Sequence, residues 1–365
     1  MPPRGWLRGG SVAAGVALAL LGGVVLPAPL AKDKSAKEYR AQLDAQPDPV
    51  WPSPPDAPRV KWVRFLRDEY DVGAQKKSGF LDALAGKNKE IFALNRPIAV
   101  TADQKGLVYV LDHTWGLVRF DIAGKKMTSL SSAGGFSTEN PVGIAADSRF
   151  LYVADSKKNT VAVLDFDGRM LRQVGDPKIV NWPVGVAVDE KAGLLFVVNG
   201  HGHQVLVFEK DSGKLIRTIG RRGADPGQLN YPTYVALLPG ERLAVMDSLN
   251  FRVQIFNYSG KFLKTFGQLG DKPGFFFRPK GIASDSEGHI YVADGAFQNI
   301  QVFDDGGRLL GVVGEGGSNK GQFSLPIGLA CVNDTIYVAD QFNRRIQILQ
   351  YLPEAGKGGG GKQER

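Results

Sequence analysis

The chain has 365 residues, of which 43% are hydrophobic and 22% are charged, as is typical of a soluble globular protein with one large domain or two ordinary ones. Part of the +8 formal charge lies in the terminal segments, and the mild excess that remains argues against a nucleic-acid-binding face. Its 46 glycines and 21 prolines follow no collagen period and predict many short strands joined by tight turns.

The first predicted element is an export signal at residues 1–31. Arg4 and Arg8 precede an apolar stretch from Ser11 to Leu26, which is followed by Pro27 and small residues. The apolar stretch is short for a membrane-spanning helix, and no good cleavage site follows it. The segment is therefore a cleaved signal peptide, an uncleaved anchor that contacts the membrane, or, as a third reading, a buried N-terminal helix. Export predicts a periplasmic, extracellular or membrane-anchored protein whose folded part lies outside the cytoplasm.

Residues 32–58 are predicted to be a linker. The stretch KDKSAKEYRAQLDAQ favours a short polar helix, and PDPVWPSPPDAP has six prolines in twelve residues. Such density favours extended polyproline II, which suits a spacer and, alternatively, a ligand for an aromatic groove. At the other end of the chain, the Gly- and Lys-rich residues 353–365 are predicted to be disordered.

A six-fold repeat fills the region between these segments. YVAD occurs at 152–155, 291–294 and 337–340, and looser copies are YVLD at 109–112, FVVN at 196–199 and AVMD at 244–247. The last residues of these six copies are Asp112, Asp155, Asn199, Asp247, Asp294 and Asp340. A proline precedes each copy at a similar distance, namely Pro97, Pro141, Pro183, Pro232, Pro279 and Pro326. Further apolar runs follow, so each unit contains four short strands.

The repeat predicts an all-β fold, a six-bladed β-propeller of four-stranded antiparallel blades over residues 95–352. Proline-led strands such as NPVGIA and RPKGIA should lie innermost, where small residues fit the crowded axis. The recurrent acidic residues should accept backbone N–H groups in the turns that follow them. Catalysis would not need six copies of the same carboxylate, so we interpret these residues as structural.

The sixth unit lacks its outer strand, because PEAGKGGGGKQER cannot form one. RVKWVRFL at 59–66 supplies the needed apolar residues, and we expect it to complete the last blade and close the ring. Residues 59–94 would then contain this closing strand and a short amphipathic helix at FLDALAG, packed on one mouth of the propeller. A membrane-surface role is the alternative for that helix.

These markers together resemble the NHL repeat. RPKGIASDSEGHIYVADGAFQNIQVFDDGGRLLGVVGEGG and LPIGLACVNDTIYVADQFNRRIQIL carry the resemblance, which covers roughly residues 95–350. The Trp-Asp dipeptide of WD40 blades is absent. The resemblance implies a six-bladed propeller, and the layout is similar to exported bacterial members. Proteins of this family are mostly binding platforms for proteins, RNA or cell-wall material, so the fold alone does not assign a function.

Some related propellers are lyases or hydrolases that use His or carboxylate clusters at a mouth, often with a divalent metal. Here His113, His201 and His203 fall in loops between second and third strands, which share one face, and His289 falls on the opposite face. The glycines of NGHGHQ would let that loop approach a ligand closely. A Ca or Zn site at the first three histidines is therefore the alternative to plain surface histidines, and no cofactor is predicted.

The same face groups aromatic, basic and amide side chains, which suits binding. The predicted members of this recognition face are His113, Trp115, Lys157, Lys158, Asn159, His201, His203, Asn250, Phe251, Gln298, Phe342, Asn343 and Arg344. Arg252 and Arg345 precede third strands in a common register and are interpreted as structural. The lone Cys331 excludes an internal disulfide; in the apolar run IGLACV it is interpreted as a small buried hydrophobe, with a reactive thiol as the alternative.

The sequence thus favours an exported, non-catalytic binding or assembly module of the cell envelope, a scaffold that holds a protein partner at one mouth. A metal-dependent lyase or hydrolase at the same mouth and a cell-wall glycan binder are the alternatives. The export signal argues against RNA as the ligand.

Overall fold

The computed structural model describes residues 33–73, 91–131 and 138–353. The predicted export signal, the amphipathic helix at FLDALAG and nearly all of the C-terminal tail lie outside these residues. Within the described ranges, no helix is both long and apolar enough to cross a membrane.

The described chain begins with a helix and two strands and continues into the first blades of a ring. The early elements are α1 (Asp33–Asp44), β1 (Val50–Trp51) and β2 (Val60–Leu66). Blade one comprises β3 (Pro97–Ala102), β4 (Val108–Asp112), β5 (Gly116–Asp121) and β6 (Lys126–Ser129). Blade two comprises β7 (Pro141–Ala146), β8 (Leu151–Asp155), β9 (Thr160–Leu164) and β10 (Met170–Val174). Blade three comprises β11 (Pro183–Asp189), β12 (Leu194–Asn199), β13 (Gln204–Glu209) and β14 (Leu215–Ile219).

The remaining strands complete the ring. Blade four comprises β15 (Pro232–Leu238), β16 (Arg242–Asp247), β17 (Arg252–Asn257) and β18 (Phe262–Phe266), with a 3-10 turn at Ser248–Asn250. Blade five comprises β19 (Pro279–Ser284), β20 (Ile290–Asp294), β21 (Asn299–Phe303) and β22 (Leu309–Val313). A small parallel pair, β23 (Glu315–Gly316) and β24 (Gln322–Phe323), precedes blade six, which contains β25 (Pro326–Val332), β26 (Thr335–Asp340) and β27 (Arg345–Tyr351). The predicted six-bladed, all-β propeller is confirmed.

The N-terminal strand closes the ring as predicted. β2 pairs antiparallel with β27, so that Val60 lies opposite Tyr351 and Leu66 opposite Ile346. The indole Nε1 of Trp62 donates to Gln347 Oε1 at 3.2 Å, which ties the closing strand to the blade. Blade six therefore joins the beginning and the end of the propeller.

Part of the predicted linker packs on blade six. β1 adds a fifth strand beside β2, and Leu43 of α1 is buried in the same apolar cluster as Trp62. Arg40 of α1 forms ion pairs with Asp68 and Asp71. This stretch therefore makes tertiary contacts that local composition did not indicate.

The core lies between the blades rather than within them. Each of six apolar clusters draws side chains from two neighbouring sheets; Leu111 of blade one and Ile144 and Val153 of blade two share one such cluster. Because each sheet buries its two faces against its neighbours, no blade is stable alone. A whole ring is the smallest unit that hides these surfaces.

The YVAD copies show why the motif recurs. In blade two, the hydroxyl of Tyr152 donates to Asp147 Oδ2 at 2.9 Å, and the next two residues are fully buried. The same bond joins Tyr291 to Asp285 in blade five. The closing carboxylate then accepts backbone N–H groups from both sides; Asp112 bonds to four such groups, of residues 95, 96, 114 and 115. The motif thus fixes both ends of the second strand.

The proline-led strands lie innermost and approach one another closely. A Cβ added to Gly281 would lie 2.5 Å from Ile327 O, and one added to Gly328 would lie 2.6 Å from Ile98 O. Both contacts are with backbone of the next blade, which cannot yield easily. Glycine at this position therefore permits the close approach in these blades, whereas Ala99 and Tyr234 occupy it in blades one and four.

The outermost strands share an irregularity. In blades two to six, one residue of the outer strand is inserted without a partner, which forms a β-bulge. The bulged residues are Leu171, Ile216, Leu263, Leu310 and Val63. In blade one, β5 and β6 pair in unbroken register.

Candidate functional site

The ring has two chemically different faces. The recognition face carries the loops between second and third strands together with the connections from each outer strand to the next inner strand. The opposite face, called the turn face here, carries the turns between first and second and between third and fourth strands. All strands of a blade begin or end at one of these two faces, so the side chains in the loops decide what each face can bind.

The two faces differ in their exposed large apolar side chains. On the recognition face they are Trp115, Ile179, Trp182, Tyr231, Leu249, Leu269, Phe277 and Phe342. The others lie in the outermost strands, at Val63, Met170, Leu171, Ile216, Leu263, Leu310 and Val312. Among the described residues, none lies in the turns of the turn face. An exposed apolar surface on one face only is characteristic of a docking surface.

Four rings at blades three and four form what we call the aromatic cluster: Trp182, His201, His203 and Tyr231. The imidazole of His201 stacks on the indole of Trp182, with 4.8 Å between centroids and 10° between planes. Tyr231 meets both imidazoles edge to face, at 5.6 Å for His201 and 4.6 Å for His203. Trp182 and Tyr231 nevertheless keep 39% and 40% of their surface exposed. The cluster is thus ordered by its own contacts and still open to a ligand.

An unusual backbone conformation presents the two exposed aromatic residues. Trp182 and Tyr231 have φ values of 59° and 48°, although each is a bulky residue that precedes a proline. Hydrogen bonds hold both: the backbone N–H of Trp182 donates to Asn159 Oδ1 at 2.8 Å, and that of Tyr231 donates to His203 Nδ1 at 3.2 Å. Strain of this kind persists only where surrounding contacts enforce it, and it concentrates at functional sites.

His203 has a defined protonation state because of this bond. Its Nδ1 accepts from a backbone N–H, so the ring proton is on Nε2. Burial, helped by the positive charge of Arg222 and by His201, lowers the pKa of His203. A metal ligand would need a free lone pair on Nε2, and therefore a different tautomer. His203 is well suited to support Tyr231 and poorly suited to bind a metal.

The structure does not gather the three histidines into a ligand set. Within the described parts of the chain, no three His, Cys, Asp or Glu side chains converge in a way that could hold a metal ion. His113 lies exposed in blade one, where its backbone N–H donates to Arg96 O. His201 is exposed against Trp182, and only His203 is buried, at 7% exposure.

Several predicted recognition residues turn out to occupy one structural position. The residue four positions after the last residue of each YVAD copy has a positive φ, and these residues are Gly116, Asn159, His203, Phe251, Gln298 and Arg344. Left-handed backbone is what the tight turn after each second strand requires. Side chains at this position therefore serve the turn first, and those of Asn159 and His203 also support the next blade.

Other predicted residues divide between exposed and tethered. His113, Trp115, Lys157, His201 and Phe342 are exposed, although Lys157 forms an ion pair with Glu139. The amide groups of Asn250 and Asn343 donate to the carboxylates of Asp247 and Asp340 and to backbone carbonyls. Lys158 is half-buried. The exposed members are the ones that a ligand can reach.

The two arginines interpreted as structural bind the repeat carboxylates. Arg252 Nε donates to Asp247 at 2.8 Å. Arg345 Nε donates to Asp340 at 2.8 Å, and its other nitrogens donate to backbone carbonyls. Only 2% of the Arg345 side chain is exposed, so it is unavailable to a ligand.

The aromatic cluster includes two residues that were not singled out in the sequence, Trp182 and Tyr231. A signal for them existed. The residue before the recurrent proline varies among the units, in the order Arg96, Asn140, Trp182, Tyr231, Arg278 and Leu325, with arginine alone occurring twice. Variation at a fixed position of a repeat shows that the fold does not dictate the residue there. In this repeat that position lies at the mouth.

One cation at the mouth is neither paired nor exposed. Lys280 directly follows Pro279 in β19 and is half-buried. Among the described residues it has no hydrogen bond or ion pair. Burial and the positive charge of Arg278 lower the pKa of Lys280, against a smaller opposing effect of Asp294.

The turn face has a cavity of about 750 Å³ on the ring axis, lined by the ends of the innermost strands. Most of the side chains that line it are apolar, Cys331 among them, and Asp285, Ser286 and Asp334 also line it. Burial raises the pKa of the Cys331 thiol, which fits an unreactive side chain. Asp285 is engaged by His289 at 2.8 Å and by Tyr291. A separate cavity of about 30 Å³ is lined by residues from the innermost strands of all six blades.

Comparison with known proteins agrees with a propeller. A family described as "Lactonase, 7-bladed beta-propeller" matches residues 97–226, which is less than half of the chain. That region holds blades one to three, and the described ring has six blades rather than seven. The match therefore agrees with a propeller and does not assign a family to the chain.

Curated relatives include the peptidylglycine alpha-amidating monooxygenases of Rattus norvegicus and Mus musculus, which are 31% and 33% identical over 106 residues. The matched stretch is 28% of this chain and spans only 11% and 10% of those relatives' own length. The match therefore does not assign the activity of these relatives to this chain.

Solved structures with a similar fold come from proteins with different roles. Virginiamycin B lyase from Staphylococcus aureus aligns with a TM-score of 0.51 at 14% identity, over 71% of this chain and 96% of that chain. A chain of the nidogen/laminin complex aligns at 0.54 and 18%, over 67% and 89%. A protein of unknown function from Bacteroides thetaiotaomicron aligns at 0.58 and 16%, over 80% and 75%. Such identities indicate the fold alone.

Proposed function

We propose that this protein is an exported, non-catalytic binding or assembly module of the cell envelope, and that it holds a protein partner on its recognition face. The observation that carries the proposal is the confinement of exposed loop aromatics and aliphatics to that face. Trp and Tyr dominate the energetics of protein interfaces because they bury large areas with little loss of side-chain freedom. The aromatic cluster provides both, already fixed by stacking and hydrogen bonds.

The distribution of strain supports the same role. Holding Trp182 and Tyr231 in left-handed backbone opposes folding by about 1–3 kcal/mol for each residue. At the same position Asn140 and Arg278 have no positive φ, whereas Leu325 in blade six has a φ of 62° and a buried side chain. The fold therefore permits more than one conformation here, and at Trp182 and Tyr231 the left-handed conformation leaves the rings exposed on the recognition face.

Site-specific photocross-linking in the producing cells tests the proposal. A photoreactive residue replaces Leu249, which is 52% exposed on the recognition face, and a matched one replaces Lys191, which is exposed on the turn face. We expect one discrete adduct from position 249 and none from position 191. Trp182→Ala combined with Tyr231→Ala should abolish that adduct while the protein stays folded. Equal adducts from both positions, or adducts that survive the double substitution, would contradict the proposal.

The alternative function is a metal-dependent lyase or hydrolase at the same mouth. It is favoured by the match to amidating monooxygenases and by the paired histidines of the NGHGHQ loop. Metal analysis of protein purified without chelators decides between the two. One Zn or Ca per chain that is lost on changing His201 and His203 to Ala would favour the enzyme. We expect no stoichiometric metal, because the hydrogen bond from Tyr231 occupies His203 Nδ1.

A further inference from the structure

The positive charge of Lys280 is not required by the fold of the blade. The equivalent residue in the other five blades, directly after the recurrent proline, is uncharged: Ile98, Val142, Val184, Thr233 and Ile327. A half-buried ammonium group loses hydration, and this loss opposes folding unless a partner compensates for it. Within the described residues Lys280 has no hydrogen bond or ion pair, and Asp294 attracts it without direct contact. A cation kept at this position therefore requires an explanation outside the stability of the blade.

Compensation of the buried Asp294 is the simplest structural explanation, and it fails by comparison. Among the described residues, the carboxylate accepts hydrogen bonds from four backbone N–H groups, those of residues 277, 278, 296 and 297. Asp112 and Asp155 are buried in the same way in blades one and two. Those blades have no cation at either nearby position: Ile98 and Val142 occupy the position of Lys280, and Leu117 and Thr160 occupy that of Arg252 and Arg345. The repeat carboxylate is thus satisfied without a lysine.

The surroundings of Lys280 fit an anionic group on a larger ligand. The chain runs Phe277, Arg278, Pro279, Lys280, with the phenyl ring 58% exposed and Arg278 exposed beside it. Asp294 anchors the backbone N–H groups of the first two residues at 2.8 and 3.1 Å, so this stretch is rigid. Two cations and an apolar ring, held on one short segment at the mouth, can receive a carboxylate together with the apolar atoms next to it.

We propose that Lys280, assisted by Arg278, binds an acidic side chain of the protein partner at the mouth of the recognition face. The inference rests on the proposed function and specifies its ligand: a segment that places an Asp or Glu on Lys280 and an aromatic or aliphatic residue on the aromatic cluster. The ammonium of Lys280 is unpaired and already partly desolvated in the free protein. Its pairing with a carboxylate therefore incurs a smaller desolvation penalty on binding, and more of the attraction contributes to the affinity.

The variant Lys280→Met tests this directly, because it retains the length and the apolar stem and removes only the charge. Lys261→Met, at an exposed site on the turn face, is the matched control. A displayed library of random twelve-residue peptides is selected on the full chain, and one selected peptide is synthesised with its acidic residue and with the corresponding amide. We expect the change from acid to amide to weaken binding to the wild type about tenfold or more. Lys280→Met should bind both peptides equally, and Lys261→Met should behave as the wild type.

The stability of Lys280→Met separates a binding role from a structural one. If the lysine serves binding, removing its desolvated charge leaves the unfolding midpoint unchanged or raises it. A lowered midpoint together with retained discrimination between acid and amide would overturn the inference.

Further outcomes distinguish this inference from the proposed function. Selected peptides that need Trp182 and Tyr231 but contain no acidic residue would overturn the role of Lys280 and leave the binding module intact. Peptides that bind without those two aromatic residues would overturn the proposed function itself. Displacement of the peptide by a DNA oligonucleotide, dependent on Lys280, would identify phosphate as the anion and refute a carboxylate.

Discussion

Trp62 should be one of the most important single side chains for the stability of the ring. It lies in the closing strand with 8% of its surface exposed, packs edge to face on Phe65 at 4.9 Å, and lies under the ammonium of Lys320 at 4.8 Å. Its indole N–H donates to Gln347. Changing Trp62 to Ala removes all of these contacts from the junction between the first and last parts of the propeller.

Truncating a buried tryptophan lowers the free energy of unfolding by about 3–5 kcal/mol. The upper half of that range applies here, because the lost hydrogen bond and the lost cation–π contact add to the cavity. The unpaired acceptor adds little, since Gln347 Oε1 also accepts from the backbone N–H of Gly321 at 3.1 Å. We therefore expect Trp62→Ala to lose about 4 kcal/mol, a large part of the stability of an ordinary domain.

Urea unfolding followed by circular dichroism measures this change, with Val63→Ala as the matched control. Val63 is the adjacent bulged residue and is 41% exposed, so its truncation should change the free energy of unfolding by less than about 0.5 kcal/mol. The two substituted residues are adjacent in the closing strand, and their side chains lie on opposite sides of the sheet. If Trp62→Ala unfolded within about 1 kcal/mol of the control, the argument that β2 closes the ring would be refuted.

Two further substitutions test the hydrogen bond that holds Tyr231 at the mouth and the close packing of the innermost strands around the axis. His203→Asn should keep the acceptor for the N–H of Tyr231, as Asn159 does for the preceding blade. Because the pKa of His203 is lowered in the folded protein, the unfolded chain takes up a proton first as the pH falls below the ordinary value of 6.5. Wild-type stability should thus decline relative to this variant below that pH, and parallel pH profiles would contradict the assignment. Gly281→Ala should lower the unfolding free energy by about 1–3 kcal/mol, whereas Gly311→Ala, with no neighbour within 4 Å, should leave it unchanged or raised; equal effects would refute the close approach of inner strands.

The repeat made most of the ring predictable before its structure was known. Six copies in phase fixed the number of blades, and the shortage of one strand in the last unit pointed to residues 59–66. Both conclusions rest on counting strands, which needs no knowledge of side-chain contacts. The packing of α1 and β1 on blade six could not be found in this way, because proline-rich composition indicates local conformation and not the surface on which a segment rests.

The candidate site was predictable only in outline. Loops between second and third strands were expected to share a face, and in the structure His201 and Phe342 lie in such loops on the recognition face. The aromatic cluster was missed because it combines residues from the preceding connection, the loop and the next blade, which are separated by up to 49 positions in the chain from Trp182 to Tyr231. The isolation of Lys280 is a property of its neighbours, and sequence position alone does not reveal it.

The bulged outer strands have a consequence for how the protein behaves in a crowded compartment. A flat strand edge offers a regular row of donors and acceptors to any passing chain, and such edges nucleate aggregates. In blades two to five the extra residue breaks that row and twists the edge, and in blade six β1 covers it. Among the strands that the structure describes, β6 of blade one is the outer strand whose pairing is unbroken, and aggregation by strand addition would begin there. Colloidal stability of this propeller accordingly depends on how well the edge of β6 is shielded.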